Sequence, residues 1–124
     1  MKSEEMIEKV QRYITSVSTQ DIEAIKGLFD ENATVADPVG TDPHVGIEAI
    51  CAFYKGGFAF QTKLELTGPV RCAGNSAAFP FTCTFEVGGK KTRLDVIDVF
   101  EFNDAGRIQS MRAYWGPDNS TELE

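Results

Sequence analysis

The stretch AAFPFTCTFEVGGKKTRLDVIDVFEF, residues 77–102, contains two alternating segments separated by a pair of glycines. From Ala77 to Val87 every second side chain is apolar, which is typical of a β-strand with one buried face. Gly88-Gly89 is a two-residue hairpin signal, so the second segment is predicted to return antiparallel to the first. Pro80 predicts an edge or a bulge in the first strand, because proline cannot donate a backbone hydrogen bond to a neighbouring strand.

The second strand carries an aspartate on the face that should be buried. That face reads Leu94, Val96, Asp98, Phe100 and Phe102. An isolated buried carboxylate is costly, so Asp98 should either find a partner or stay protonated, and a protonated acid can donate a hydrogen bond. Two alternatives are open. A register shifted by one residue would turn Asp98 outward, and Arg93 or Arg112 could form an ion pair with it.

Three amphipathic helices are predicted ahead of these strands. The first spans residues 4–17, where apolar side chains recur at i, i+4, i+7 and i+11. The second has Asp21 as its N-cap and ends at Asn32. The third runs from Ile47 to about Lys55, and Gly56-Gly57 ends it.

Further strands are predicted over residues 33–37, 60–67 and 108–115. Helices followed by a run of antiparallel strands predict an α+β domain. Three helices packed on one face of a curved, mostly antiparallel sheet would form a cone with an apolar pocket inside. The 124 residues suit a single domain over residues 1–124.

The composition argues against several classes of partner. The net charge is -7 and no basic run occurs, so nucleic acid is not an expected partner. No apolar run reaches the roughly 20 residues that span a bilayer, and no apolar segment typical of a signal peptide follows Met1. The three cysteines lack metal-ligand spacing, and they are interpreted as reduced thiols of a cytoplasmic protein. The one histidine, His44, lies in a Pro-Gly loop and is expected to be solvated, so no metal site is predicted.

Other polar side chains accompany Asp98 on predicted apolar faces. Tyr13 and Tyr54 lie on the buried stripes of the first and third helices, where they could hydrogen-bond each other. Asp37 follows the short strand at 33–37. Each has a plain structural explanation, as a satisfied core tyrosine or a turn-capping aspartate. Together, one carboxylate that accepts a proton and two donors that hold one oxygen suit the removal of a proton next to a carbonyl, without metal or organic cofactor.

Six stretches, in order over nearly the whole chain, resemble bacterial ketosteroid isomerase of the nuclear transport factor 2-like superfamily. They are residues 10–13, 33–40, 52–54, 66–71, 94–99 and 106–115. The resemblance implies that Asp37 is the catalytic base, that Tyr13 and protonated Asp98 bind the oxyanion, and that Tyr54 supports Tyr13. It also implies apolar pocket positions at Phe81, Met111 and Trp115. An acid kept neutral by an apolar site is known behaviour of that family rather than a deduction from this sequence.

The implied substrate is a steroid, a small apolar ligand. Asp37 would move a proton from C4 to C6 of a β,γ-unsaturated 3-ketosteroid and give the conjugated isomer, in a homodimer associated through the sheet. Two positions depart from the family pattern. Phe29 stands where some members carry a further tyrosine, and Ala36 stands where members carry an acid. The absence of that neighbouring charge should lower the pKa of Asp37 slightly.

Two other functions are open. A polyketide cyclase-like enzyme could use Asp37 as a base on a different flat ketone, whereas the related epoxide hydrolases carry an Asp-Arg-Asp set and no arginine is expected in this pocket. Alternatively, the chain could be a non-catalytic carrier of apolar ligands. The intact base argues against a carrier.

Overall fold

The computed structural model describes residues 1–124 and contains three α-helices and eight β-strands. The helices are α1 (Ser3–Ser18), α2 (Ile22–Leu28) and α3 (Ile47–Phe58). The strands are β1 (Phe29–Ala36), β2 (His44–Val45), β3 (Lys63–Leu66), β4 (Arg71–Ala73), β5 (Ser76–Val87), β6 (Lys90–Phe102), β7 (Ile108–Tyr114) and β8 (Ser120–Leu123), with a short 3-10 helix at Pro117–Asn119.

The helices follow the predicted apolar stripes, and two of their ends differ from prediction. The predicted stripe of α1 is buried, and the Asp21 side chain caps α2 by accepting a hydrogen bond from the Ala24 N–H. The prediction that the second helix reaches Asn32 is wrong, because Phe29 already begins β1 and pairs with β7. The third helix continues past Gly56-Gly57 to Phe58, since neither glycine adopts a positive φ that would end it.

The eight strands form one sheet in the order β2-β1-β7-β6-β5-β3, with β4 also paired to β5 and β8 also paired to β6. Only β1 and β7 run parallel, so the prediction of a mostly antiparallel sheet is confirmed. Pro80 lies between the part of β5 that pairs with β4 and the part that pairs with β3. Its missing N–H therefore leaves no strand partner unsatisfied on that side.

The β5–β6 hairpin fixes which side chains face inward. Gly88 and Gly89 have φ of 57° and 81° at the predicted turn, which suits a tight hairpin. The register is continuous, and Asp98 lies opposite Phe79. Asp98 is only 1% exposed, so the alternative of a shifted register is wrong.

The helices cover one face of the sheet, and the buried apolar side chains of both layers form one cluster. The predicted α+β cone is therefore confirmed. No helix has the length and apolar character that crossing a membrane would require.

Candidate active site

An apolar cavity of about 520 Å³ opens between the helices and the sheet. Of its 17 lining residues, 13 are hydrophobic. The main polar side chains on its wall are Tyr13 from α1, Tyr54 from α3 and Asp37 from the end of β1. The fold therefore brings the predicted site residues Tyr13, Asp37 and Tyr54 together at one cavity.

Tyr13 and Tyr54 form a buried hydroxyl pair. Their oxygens are 2.8 Å apart and either can donate, which confirms the predicted hydrogen bond between them. The Tyr13 ring packs edge-on against Phe79 and Phe100, with centroids at 6.3 and 5.0 Å. Burial, followed by the charges of neighbouring groups, raises the pKa of Tyr13 well above its ordinary value. The pair is therefore neutral at ordinary pH and can donate a proton in a hydrogen bond.

Asp98 lies directly opposite Phe79 and shares a strand face with Phe100, the two rings on which Tyr13 packs, and it has no hydrogen-bond partner. Both carboxyl oxygens are buried and unpaired. The alternative ion pairs are wrong, because Arg93 contacts Asp95 at 3.4 Å and Arg112 contacts Glu101 at 3.3 Å. Burial, with a smaller contribution from the charge of Asp37, raises the pKa of Asp98 well above the usual range. Asp98 is itself absent from the cavity lining, whereas Val96, two residues earlier on the same face, is part of it.

Asp37 is held by a hydrogen bond from Trp115, the residue that follows β7. Trp115 Nε1 donates a hydrogen bond of 2.7 Å to Asp37 Oδ1, and both residues line the cavity. Burial raises the pKa of Asp37, while the Trp115 hydrogen bond and the charge of His44 lower it. Asp37 is thus a half-buried carboxylate whose Oδ1 accepts a hydrogen bond from Trp115.

Sequence reasoning interpreted Trp115 only as an apolar pocket position, and its donor role was missed. The hydrogen bond spans 78 positions in the chain and depends on the parallel pairing of β1 with β7. Only the resemblance, which placed Asp37 and Trp115 in one pocket, gave any signal of it.

The remaining predicted residues separate into two groups. Phe81 lines the cavity, as implied. Met111 is 1% exposed and packs in the core behind the lining, opposite Phe100 in the sheet. The cavity wall includes further aromatic side chains that no prediction placed there, namely Phe53, Phe58, Phe60 and Phe85.

Cysteine and histidine also lie close to the cavity. All three cysteines are free and half-buried, and Cys83 is on the cavity wall. Burial raises the pKa of Cys83 to about 12, so its thiol stays protonated. His44 is half-buried and stacks on Phe53 with centroids 4.4 Å apart, so the expectation of a solvated histidine is wrong. No group of three or more His, Cys, Asp and Glu side chains is placed to hold a metal ion.

Chemically, the cavity combines one proton acceptor with neutral hydrogen-bond donors in apolar surroundings. Asp37 is the acceptor, and it lines the same cavity as the Tyr13–Tyr54 pair of donors. Such an arrangement suits a flat ligand with one oxygen, whose charge would develop at the donors when a proton leaves its carbon.

Comparison with known proteins defines the class. Residues 10–111 match the SnoaL-like domain. The chain therefore belongs to the SnoaL-like domain family, whose fold is the nuclear transport factor 2-like cone described above. A steroid Delta-isomerase from Nocardioides simplex is 37% identical over 115 residues, which are 93% of each chain. This relative supports the resemblance to bacterial ketosteroid isomerases.

Two further relatives have different names. The epoxide hydrolase LasB from Streptomyces lasalocidi is 30% identical over 114 residues, which are 88% of this chain and 40% of that protein. The solved structure of SalBIII, an epoxide hydrolase/cyclase-like enzyme in pyran ring formation, superposes with a TM-score of 0.91 at 28% identity. It covers 99% of this chain and 100% of that chain. This chain is thus similar to enzymes whose named activities differ.

Proposed function

We propose that the protein is a cofactor-independent steroid Δ-isomerase that converts 3-oxo-Δ5-steroids to 3-oxo-Δ4-steroids through a dienolate. The observation that carries the proposal is Asp98, a buried acid with both oxygens unpaired beside the Tyr13–Tyr54 pair. A protein gains no folding stability from such a group. A neutral acid that can donate to a ligand oxygen gives the burial a function.

Asp37 is the proposed base. Its carboxylate takes a proton from C4, the electrons of that C–H bond move into the conjugated system, and the ketone oxygen becomes an enolate. Protonated Asp37 then returns the same proton to C6, so the product is an isomer and the base is regenerated. The Trp115 hydrogen bond at 2.7 Å fixes one carboxylate oxygen and leaves Oδ2 for the transfer.

Tyr13, on the cavity wall, is the proposed first donor to the enolate oxygen. Asp98 does not line the cavity, and it is proposed to donate to the same oxygen from behind the lining when the ligand is bound. If Tyr54 donates to Tyr13, the Tyr13 proton is free to face the ligand, and the donor is strengthened by the hydrogen bond that it accepts. Tyr54, Phe81 and Trp115 would contact the steroid body as cavity-lining residues. Met111 would act by packing behind that wall, because it does not line the cavity.

The cavity supports this reaction more strongly than epoxide hydrolysis. No arginine lines the cavity, and Arg93 and Arg112 contact carboxylates away from it. An Asp-Arg-Asp set therefore has no counterpart here. A cyclase acting on another flat ketone would use the same base, so the substrate tests distinguish it.

The proposed assembly is a homodimer through the outer face of the sheet. Ile97 and Tyr114 are neighbours on β6 and β7, and each is about half exposed. Pro80, beside Ile97 on β5, extends this patch. Exposed apolar patches of this kind are typical of contact surfaces. The proposed location is the cytoplasm, which the three free cysteines support.

The test is to mix the purified protein, treated with a chelator, with a 3-oxo-Δ5-steroid and to follow the conjugated enone in the ultraviolet. Formation faster than in buffer is expected, and added metal should not be needed. If the enone forms at the buffer rate, the proposed activity is wrong. A non-steroid β,γ-unsaturated ketone, run in parallel, shows whether the steroid body is required.

A further inference from the structure

His44 is an ionisable side chain near the cavity that the proposed reaction does not use. Its ring stacks on Phe53 with centroids 4.4 Å apart and an interplanar angle of 29°. Phe53 lines the cavity and packs edge-on against Tyr54 at 5.2 Å. His44 therefore contacts a residue of the cavity wall without lining the cavity, and its side chain is half-buried.

Strand pairing places His44 next to the proposed base. His44 lies directly opposite Val35 in the β1–β2 pair, so both side chains are on the same face of the sheet. Asp37 is two residues beyond Val35, just past the end of β1 at Ala36. Diagonal neighbours in a regular antiparallel pair are about 7–8 Å apart, and this spacing sets the scale for the separation of His44 and Asp37. An imidazole and a carboxylate at that separation interact through their charges without forming a hydrogen bond.

We infer that His44 is a positioning residue for the base: when protonated, it holds Asp37 ionised and extends the reaction to lower pH. The inference rests on the proposed function, in which the carboxylate form of Asp37 is the active one. The charge of His44 does lower the pKa of Asp37, against the larger effect of burial and together with the Trp115 hydrogen bond.

The elements around β2 carry other ionisable groups, several of which are exposed. The elements packed against β2 are β1 and α3. Their ionisable side chains, with those of the adjoining loops, are Asp30, Glu31, Asp37, Asp42, Glu48, Cys51, Tyr54 and Lys55. Glu31, Asp42, Glu48 and Lys55 are exposed to solvent, where water and salt screen their charges. Asp30 accepts a hydrogen bond from Asn103 at the other end of β1. Asp37 is the carboxylate that lines the cavity.

The direction of the shift in the pKa of Asp37 follows from the opposite charges of protonated His44 and the carboxylate. Histidine ordinarily carries its positive charge below about pH 5 and loses it by about pH 8. A positive charge favours the ionised carboxylate, so Asp37 keeps its negative charge to lower pH when His44 is protonated. At 7–8 Å, with an effective dielectric constant between about 20 and 80, the shift is roughly 0.4 to 1.6 pH units. The effect is confined to the low-pH side of the pH–activity profile, the acid limb. At high pH, Asp37 is ionised with or without the charge of His44.

The experiment compares pH profiles of kcat/KM for wild type, His44→Phe and His44→Lys. Phenylalanine keeps the stack on Phe53 and removes the charge, so the acid limb should move to higher pH by roughly 0.4 to 1.6 units. Lysine restores a cation, and its acid limb should return towards that of wild type. Asp42→Asn, a change of an exposed charge in the same loop, is the control and should leave the limb in place. Coincident limbs for wild type and His44→Phe would overturn the inference.

A second measurement does not depend on turnover. The carboxyl carbon of Asp37 can be followed by NMR as a function of pH in wild type and in both His44 variants, without substrate. The midpoint should rise in His44→Phe and fall back in His44→Lys. An unchanged midpoint refutes the role of His44 even if the protein has no isomerase activity. Conversely, a shifted midpoint in a protein that does not isomerise steroids would reject the proposed function alone.

Discussion

Replacing Asp98 by leucine and by asparagine separates its effect on folding from its effect on turnover. The side chain is 1% exposed and neither oxygen has a partner. Leucine has the same branched shape without a polar group, and asparagine keeps one donor. Leaving a buried polar group unsatisfied costs about 1–3 kcal/mol, so Asp98→Leu should unfold no more easily than wild type.

The pH dependence of the free energy of unfolding gives a more specific expected difference between wild type and Asp98→Leu. The folded-state pKa of Asp98 is raised by burial, so below about pH 4 the acid is protonated in both the folded and the unfolded chain. Above that pH the unfolded chain ionises first. Each further pH unit then lowers the free energy of unfolding by up to about 1.4 kcal/mol, until the folded-state pKa is reached. Between about pH 5 and pH 7, the stability of Asp98→Leu relative to wild type should therefore increase by up to about 2.7 kcal/mol.

Urea unfolding at several pH values measures this difference, and kcat on the steroid is measured beside it. An oxyanion donor is typically worth about 10²–10³ in kcat, so kcat should fall from wild type to Asp98→Asn and much further in Asp98→Leu. A structural ion pair would behave in the opposite way, because leucine would leave a cation unpaired. A clear loss of stability in Asp98→Leu, with kcat little changed, would refute the reasoning.

Three further substitutions test the other proposed groups. Asp37→Asn keeps the shape but cannot accept the proton, so kcat should fall sharply while steroid KM changes little; an active variant would reject Asp37 as the base. Trp115→Phe removes the hydrogen bond that lowers the pKa of Asp37, so the acid limb of kcat/KM should move to higher pH, and an unmoved limb would contradict this role. Tyr13→Phe should weaken binding of a steroidal phenol by about tenfold or more through the lost hydrogen bond, as titration calorimetry can measure, with little change for a steroid that lacks the phenol; equal losses for both ligands would indicate a packing defect instead.

Local patterns in the sequence were sufficient for most of the architecture. Alternation placed Asp98 inside with Val96 and Phe100, and the paired glycines located the hairpin, because these signals depend only on neighbouring residues. Helical periodicity placed Tyr13 and Tyr54 on buried faces. The roles of these groups came from the resemblance, since periodicity cannot distinguish a core tyrosine from a donor.

The errors arose where distant parts of the chain decide the outcome. Phe29 continues an apolar helical stripe, but its pairing with Ile108 in β7 places it in a strand. His44 was expected in solvent because its loop is rich in proline and glycine, yet a side chain from α3 covers its ring. The Trp115–Asp37 hydrogen bond depends on the same β1–β7 pairing, which no local pattern reveals.

The pairing of β6 has a consequence for where the chain exchanges its backbone amides with solvent. Two strands share one edge of β6, with β8 paired to residues 91–94 and β7 to residues 97–102. The other edge pairs with β5 over residues 90–101. In a strand that is hydrogen-bonded to a neighbour at both edges, backbone amides exchange with solvent only on near-global unfolding. Asp98 is therefore expected to lie in the slowest-exchanging part of the sheet. The Gly56-Gly57 end of α3 also lines the cavity but lies at a helix end, so its amides should exchange faster, through local fluctuations.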